Sequence, residues 1–209
     1  MIYQLSCIAD PALYYGLMPG ATVYLVNQSI NLDLAKKVVF GEVRARIRQS
    51  PYFQKNFMPD KTITSELHFP KNLKVLPLAS QDTSALGLNV FGSVLDEVYF
   101  YPIVSRSKRS HSVSETYDAA ERMYTAVKRR LRSRFMSVNK FPGKILVLSQ
   151  TQYDDDFTER IIKAARTDPM IMVRRRALWE SKTDGWSGEK FKIQVGGKLS
   201  RPRILTGNE

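Results

Sequence analysis

Short runs that are apolar on successive residues alternate with stretches of helical period along this chain, and that alternation restricts its fold more than any other feature. Ala21 to Gln28 (Ala-Thr-Val-Tyr-Leu-Val-Asn-Gln) reads as a strand. Asn31 to Ser50 follows, with Leu32, Ala35, Val38, Val39, Val43 and Ile47 at helical spacing, so a strand feeds a helix. Lys74 to Leu78, Ser93 to Asp96, Lys144 to Leu148 and Met170 to Arg174 are the other candidate strands, and Ser114 to Phe135 and Asp154 to Arg166 read as helices. Strands without a polar alternation are buried on both faces, so an α/β fold is expected: a mostly parallel sheet with helices on both sides. Ligands of such sheets bind at the carboxyl ends of the strands.

One run carries most of the chemistry. Phe91 to Phe100 (Phe-Gly-Ser-Val-Leu-Asp-Glu-Val-Tyr-Phe) is an apolar strand ending in two adjacent carboxylates, the layout of a Walker B element. A buried strand fixes where its last residues point. In a nucleotide hydrolase the first acid, Asp96, holds water on Mg²⁺, and the second, Glu97, orients or deprotonates the attacking water. The same string also occurs where a strand runs into an acidic turn or a helix start, and on the motif alone both readings stand.

Three further segments accompany the acidic pair. They are Ala79-Ser80-Gln81-Asp82-Thr83-Ser84-Ala85-Leu86-Gly87-Leu88-Asn89 before it, Ser149-Gln150-Thr151 at the end of the run Lys144 to Leu148, and Asp155-Asp156-Phe157-Thr158-Glu159-Arg160. In this order they make most of residues 20 to 190 resemble the ATPase domain of a phage terminase large subunit, the motor that pumps viral DNA into a capsid. The resemblance implies a RecA-like P-loop NTPase core with ATP and Mg²⁺ as cofactors. It implies Asp96 as the Mg²⁺-linked acid (through bound water), Glu97 as the catalytic carboxylate, and Ser149, Gln150 and Thr151 as a coupling element that senses the γ-phosphate. Gly87 and Gly92 would let backbone pass close to the strand. Double-stranded DNA, the terminase small subunit, the portal and further copies in a homo-oligomeric ring are the implied partners, in the host cytoplasm and transiently at the procapsid.

One departure limits the resemblance. An ATPase of this type needs Gly-x-x-x-x-Gly-Lys-[Ser/Thr] to hold the β- and γ-phosphates, and the sequence contains no such string. Gly196-Gly197-Lys198-Leu199 and Pro142-Gly143-Lys144-Ile145 come nearest, and both lack the first glycine and the hydroxyl. In terminases the P-loop and its helix precede the strand that Ala21 to Gln28 resembles, so Met1 to Tyr15 is expected to match the end of that helix, and the family's nuclease domain would fall after Glu209. Residues 1–209 are therefore expected to form a single partial ATPase domain, lacking the P-loop strand and left with exposed apolar edges. Such a chain hydrolyses ATP only if another segment supplies the P-loop. Two alternatives stay open: a catalytically silent DNA-binding fragment, and another RecA-like or helicase-like ATPase.

Composition agrees with this picture without generating it. With 209 residues, 43% hydrophobic and 25% charged, the chain can bury one sizeable core. No apolar stretch approaches the roughly 18 residues that span a bilayer, so a soluble, intracellular protein without a membrane partner is expected. The net charge of +12 and a pI near 9.8 favour a polyanion. From Tyr101 to Gln150 there are 11 basic and 3 acidic residues, which accounts for +8 of the excess. Ser105 to Ser114 reads as a flexible basic loop, and the helix after it buries Ala120, Met123, Tyr124, Val127 and Leu131. Its other face carries Arg122, Arg129, Arg130, Arg132 and Arg134, candidates for DNA phosphate contacts without base readout. A solvated helix face accounts for the same arginines, and the spacing selects neither Arg106 nor Arg109 as an arginine finger.

The remaining conspicuous residues have plainer readings. Cys7, among Leu5, Ile8 and Ala9, is expected to be a buried structural thiol, and His68 and His111 lack partners at zinc-ligand spacing. Asp154-Asp155-Asp156 is read as acids capping a helix rather than a metal site. Trp179 and Trp186 are read as packing residues beside the turn Asp184-Gly185, and Arg174-Arg175-Arg176 as the basic end of a strand.

Overall fold

A computed structural model of the chain describes residues 1–79, 87–105, 116–135, 142–177, 180, 192–197 and 201–205. The polypeptide enters through α1 (Ile2–Ser6) and α2 (Pro11–Tyr14), not through one helix continuous to Tyr15. The Asp10 side chain accepts from the Leu13 N–H while Pro11 takes the first helical position, a cap that starts a new helix. Cys7 lies just past the end of α1 and is exposed, which corrects the expectation of a buried thiol.

After β1 (Val23–Ser29) the expected long helix is two helices, α3 (Leu32–Lys37) and α4 (Val39–Gln49), broken at Val38 (φ −85°, ψ −92°). A buried side chain from β1 accounts for the break. Asn27 Nδ2 donates to the Ala35 carbonyl at 2.8 Å, the group that the Val39 N–H would take in a continuous helix. Then come α5 (Pro51–Asn56), β2 (Leu67–Phe69), β3 (Leu73–Ala79), β4 (Val90–Asp96), a 3₁₀ turn (Val98–Phe100), β5 (Ile103–Ser105), β6 (Thr116–Asp118), α6 (Ala119–Phe135), β7 (Ile145–Leu148) and α7 (Phe157–Ala164). The helix expected from Ser114 starts at Ala119, because Thr116–Asp118 pairs with Ile103–Ser105 and Asp118 Oδ1 then caps the first turn.

Five strands form one sheet in the order β2-β3-β1-β4-β7, parallel except for the antiparallel edge β2. The expected mostly parallel α/β sheet with helices on both faces is thus what the chain forms. On one face Leu25 packs in a cluster with Ala35, Phe40 and Ile47 of α3 and α4. On the other, Val26 and Leu95 pack with Ala120, Met123 and Val127 of α6. Of the stripe expected on α6, Ala120, Met123, Val127 and Leu131 are buried and Tyr124 is only partly so, while Ala119 and Phe135 extend it.

The described chain separates into two compact units, Met1–Thr167 and Asp168–Glu209. In the second, β8 (Lys192–Gln194) and β9 (Arg203–Leu205) form an antiparallel pair with Ile193 opposite Ile204. Met170 to Arg174 is not a strand: it pairs with nothing among the described residues, and Met170 and Met172 are exposed. Four apolar residues without a neighbouring edge do not make a sheet member, so Arg174, Arg175 and Arg176 do not extend one. Trp179, Trp186, the residues 80–86 before the acidic pair, and the basic loop with Arg106, Arg109 and His111 lie outside the described residues.

Candidate functional site

The carboxyl ends of the parallel strands gather the polar residues of this sheet. Asp96 is the last residue of β4, is 7% exposed, and pairs in register with Leu148 of β7. Burial away from water raises its pKa, and the adjacent Glu97 N–H offsets part of that effect. Glu97 adopts a left-handed backbone (φ 52°, ψ 43°) and opens the 3₁₀ turn, with its carbonyl accepting from the Phe100 N–H at 3.0 Å. The turn reverses the chain so that Tyr101 comes back beneath the acids. The Tyr101 hydroxyl is buried, and burial, then the charges of Asp96 and Glu97, push its ionisation up.

Beside these acids lie residues that the sequence reading did not select. Gln28 of β1 pairs with Leu95 of β4, so Ser29 and Asp96 are the next residues along adjacent strands. Asn27, Gln28 and Ser29 are all buried. Gln28 Nε2 donates to Met123 Sδ at 3.0 Å, while Asn27 Oδ1, Gln28 Oε1, Ser29 Oγ and Ser93 Oγ have no hydrogen-bond partner among the described residues. Ser29 is the one of these next to Asp96 at the strand end; Ser93 lies mid-strand on β4, and Asn27 and Gln28 face opposite sides of the sheet, toward α3 and α6. The sequence signal of the β1 residues was the switch from Leu-Val to Asn-Gln-Ser at the end of an apolar run.

On the outer side of β4, Ser149 follows β7, and its hydroxyl lies 2.6 Å from Thr158 Oγ1 in the first turn of α7. Gln150 Nε2 donates to the Tyr99 hydroxyl at 3.5 Å, linking this segment to the turn after Glu97; Thr151 is exposed. Asp156 caps α7, accepting from the Glu159 N–H at 2.7 Å and the Gln152 N–H at 2.8 Å, as expected for an acid at a helix start. The structure therefore gathers Asp96, Glu97, Ser149, Gln150 and Thr151 at one edge.

The arginines do not all converge there. α6 starts near the carboxyl edge and ends near the opposite one, where Phe135 packs edge-on against Phe91 at 5.3 Å. Arg122 lies in the first half of the helix, whereas Arg129, Arg130, Arg132 and Arg134 lie toward the amino end of β4. The close-approach role holds for Gly92, which has the Met1 thioether, the Lys144 carbonyl and Leu25 against it. At Gly87 an added Cβ meets nothing within 4 Å among the described residues.

A flat opening borders the acids. β7 is the outer strand of the described sheet, and its Leu146 and Leu148, each 49% exposed, share the face of Val94 and Asp96. The other side of β7 packs inward through Ile145 and Val147.

Residues 1–194 match the family model described as "Uncharacterized protein MJ0330, N-terminal P-loop domain". The chain belongs to that family. It is an α/β domain of the P-loop NTPase type, although its own sequence has no Gly-x-x-x-x-Gly-Lys-[Ser/Thr]. The chain is also similar to the HK97 bacteriophage large terminase in its crystal structure, at 18% identity and a TM-score of 0.49. That similarity covers 84% of this chain and 33% of the terminase, so the chain spans about a third of that protein's length. Among curated protein sequences none matches. Among the described residues, no helix is long and apolar enough to cross a membrane.

Proposed function

We propose that the chain is the acidic half of a nucleotide-hydrolysing motor domain like that of a terminase large subunit, completed by a phosphate-binding segment that docks along β7. One observation carries this reading: the acidic pair sits at the tip of β4 beside β7, which is the outer strand among the described residues and has Leu146 and Leu148 half exposed. The donors suit a hydrated divalent cation, because Asp96 is a desolvated carboxylate and the Ser29 hydroxyl on the neighbouring strand has no partner among the described residues. Bound ATP and Mg²⁺ would supply the phosphoanhydride and neutralise its charge. In this reading Asp96 would be the acid toward the hydrated cation, and Glu97 would take a proton from the attacking water. Tyr101, buried beside the acids, would pack beneath them. Gln150, tied to the turn after Glu97 through Tyr99, passes changes at the site toward α7 through Ser149 and Thr158. Residues 1–209 would then belong to one partial ATPase domain acting on double-stranded DNA with a small subunit, a portal and further copies in a ring, in the host cytoplasm and at the procapsid.

The test is reconstitution. The chain is combined with a segment bearing Gly-x-x-x-x-Gly-Lys-[Ser/Thr] encoded beside it, and ATP hydrolysis is followed with and without Glu97→Gln. Hydrolysis that falls about 100-fold or more in the variant, with nucleotide binding retained, supports the reading. Equal hydrolysis in both proteins overturns the role of Glu97. A second reading, DNA binding without catalysis, draws on the placement of Arg129, Arg130, Arg132 and Arg134 away from the acids, and salt-sensitive DNA binding without nucleotide affinity would favour it.

A further inference from the structure

A second concave surface lies at the opposite end of the sheet from Asp96. β2 pairs with the first residues of β3 (Phe69 with Leu73, Leu67 with Val75), and the segment leading into β2 folds back against α4. Arg44 Nη1 donates to the Thr64 carbonyl at 3.2 Å and ties that segment to the helix. Between them is a cavity of about 280 Å³, with Leu67 and Ile63 in its apolar lining and Arg44, Arg48, Asp60 and Lys61 among its polar residues.

The charges of this cavity are unevenly committed. Arg44 and Arg48 are one helical turn apart, so they share a face of α4. The Thr62 N–H and hydroxyl, at 2.8 and 2.7 Å, both donate to Asp60 Oδ1 and hold the carboxyl below the usual carboxylate range. The Arg48 guanidinium and the Lys61 ammonium make no hydrogen bond or ion pair among the described residues. Two uncommitted cations from different elements thus border an apolar floor, an arrangement that matches a phosphate group joined to a flat or apolar body. A cavity of about 280 Å³ has room for one nucleotide unit.

We infer that this cavity binds a phosphate carried by one nucleotide unit, with Arg48 and Lys61 on the phosphate and the base or sugar against Ile63 and Leu67. The unit is either a free mononucleotide or one step of a nucleic-acid strand. This inference stands apart from the hydrolytic reading, since none of its residues touches the acidic edge.

The experiment measures, for the full chain, the affinity of a fluorescein-labelled 20-base-pair duplex and of adenosine monophosphate, each over a salt series. Arg48→Glu/Lys61→Glu is compared with Lys37→Glu/Arg166→Glu, an equal charge change at exposed positions elsewhere, and thermal melts confirm that both fold; Arg48→Gln/Lys61→Gln replaces the first pair if it does not. A loss of at least tenfold confined to the cavity variant supports the inference. If the loss is in duplex affinity, with the slope of log K on log salt reduced by about 2, the source is the strand backbone; if it is in the mononucleotide alone, the source is the free nucleotide. Equal losses in the two variants, or changes under twofold for both probes, overturn it.

Discussion

Glu97 holds a left-handed backbone at φ 52°, a conformation that costs a residue with a Cβ about 1–2 kcal/mol. The strain sits on the very side chain that the proposed chemistry needs. Glu97→Gly is expected to raise the thermal midpoint by about 2–4 °C, read in a calorimetric melt, while removing the carboxylate; Glu97→Gln should leave the midpoint where it is. No gain in the glycine variant would show that the neighbouring turn, not the residue, sets the conformation. Asp96 makes a second prediction at this scale. Its pKa is raised in the fold by burial, so the buried charge costs stability at neutral pH. The cost fades as pH falls through the raised value and is gone below the ordinary 3.8, where folded and unfolded chains are both protonated. Asp96→Asn should therefore melt up to about 3 °C higher than wild type at pH 7 and level with it near pH 3. A constant difference across that range would rule out titration of Asp96 as its cause.

At the scale of elements, β4 and β7 approach through glycines. An added Cβ at Gly143 would collide with the Phe91 carbonyl oxygen and press on Leu131, so the entry to β7 passes over β4 at a distance that no side chain allows. Gly143→Ala should cost about 1–3 kcal/mol in denaturant melts, and a neutral result would mean that the entry to β7 can shift freely. α7 is fastened differently. Arg160 reaches Asp118 Oδ2 at 2.8 Å at the end of β6 and Glu121 Oε2 at 3.0 Å in the first turn of α6, and also donates to the Asp155 carbonyl. These groups are partly exposed, so Arg160→Ala is expected to cost about 1 kcal/mol and less at high salt; an unchanged midpoint at low salt would show the bridge to be idle.

Element boundaries also show where sequence reading stops. β1, β3, β4 and β7 lie where continuous apolar runs place them; burial on both faces accounts for the runs in β1 and β4, whereas the run in β7 includes the half-exposed Leu146 and Leu148. The helix over 31–50 breaks at Val38 because Asn27, on another element, takes a carbonyl from the ladder. A local pattern holds no record of such a partner. The acidic pair was legible as residues at a strand end, whereas its neighbours Ser29 and Tyr101 became visible only through strand order and the turn that brings Tyr101 back.

For the whole molecule, the open side of β7 matters most. Half-exposed Leu146 and Leu148 on an edge strand invite pairing with another chain. Leu146→Lys/Leu148→Lys should lower self-association in light scattering without lowering the melting midpoint; association that persists would place the sticky surface elsewhere. The sequence by itself determined the fold class, the four parallel strands, the buried stripe of α6 and the positions of Asp96 and Glu97, since each follows from local periodicity or from residues adjacent in the chain. Tertiary structure decided the strand order that sets Ser29 beside Asp96, the separation of the α6 arginines from the acids, the exposed face of β7, and the cavity between α4 and the entry to β2. These depend on which distant segments meet, and that is settled by packing across the sheet.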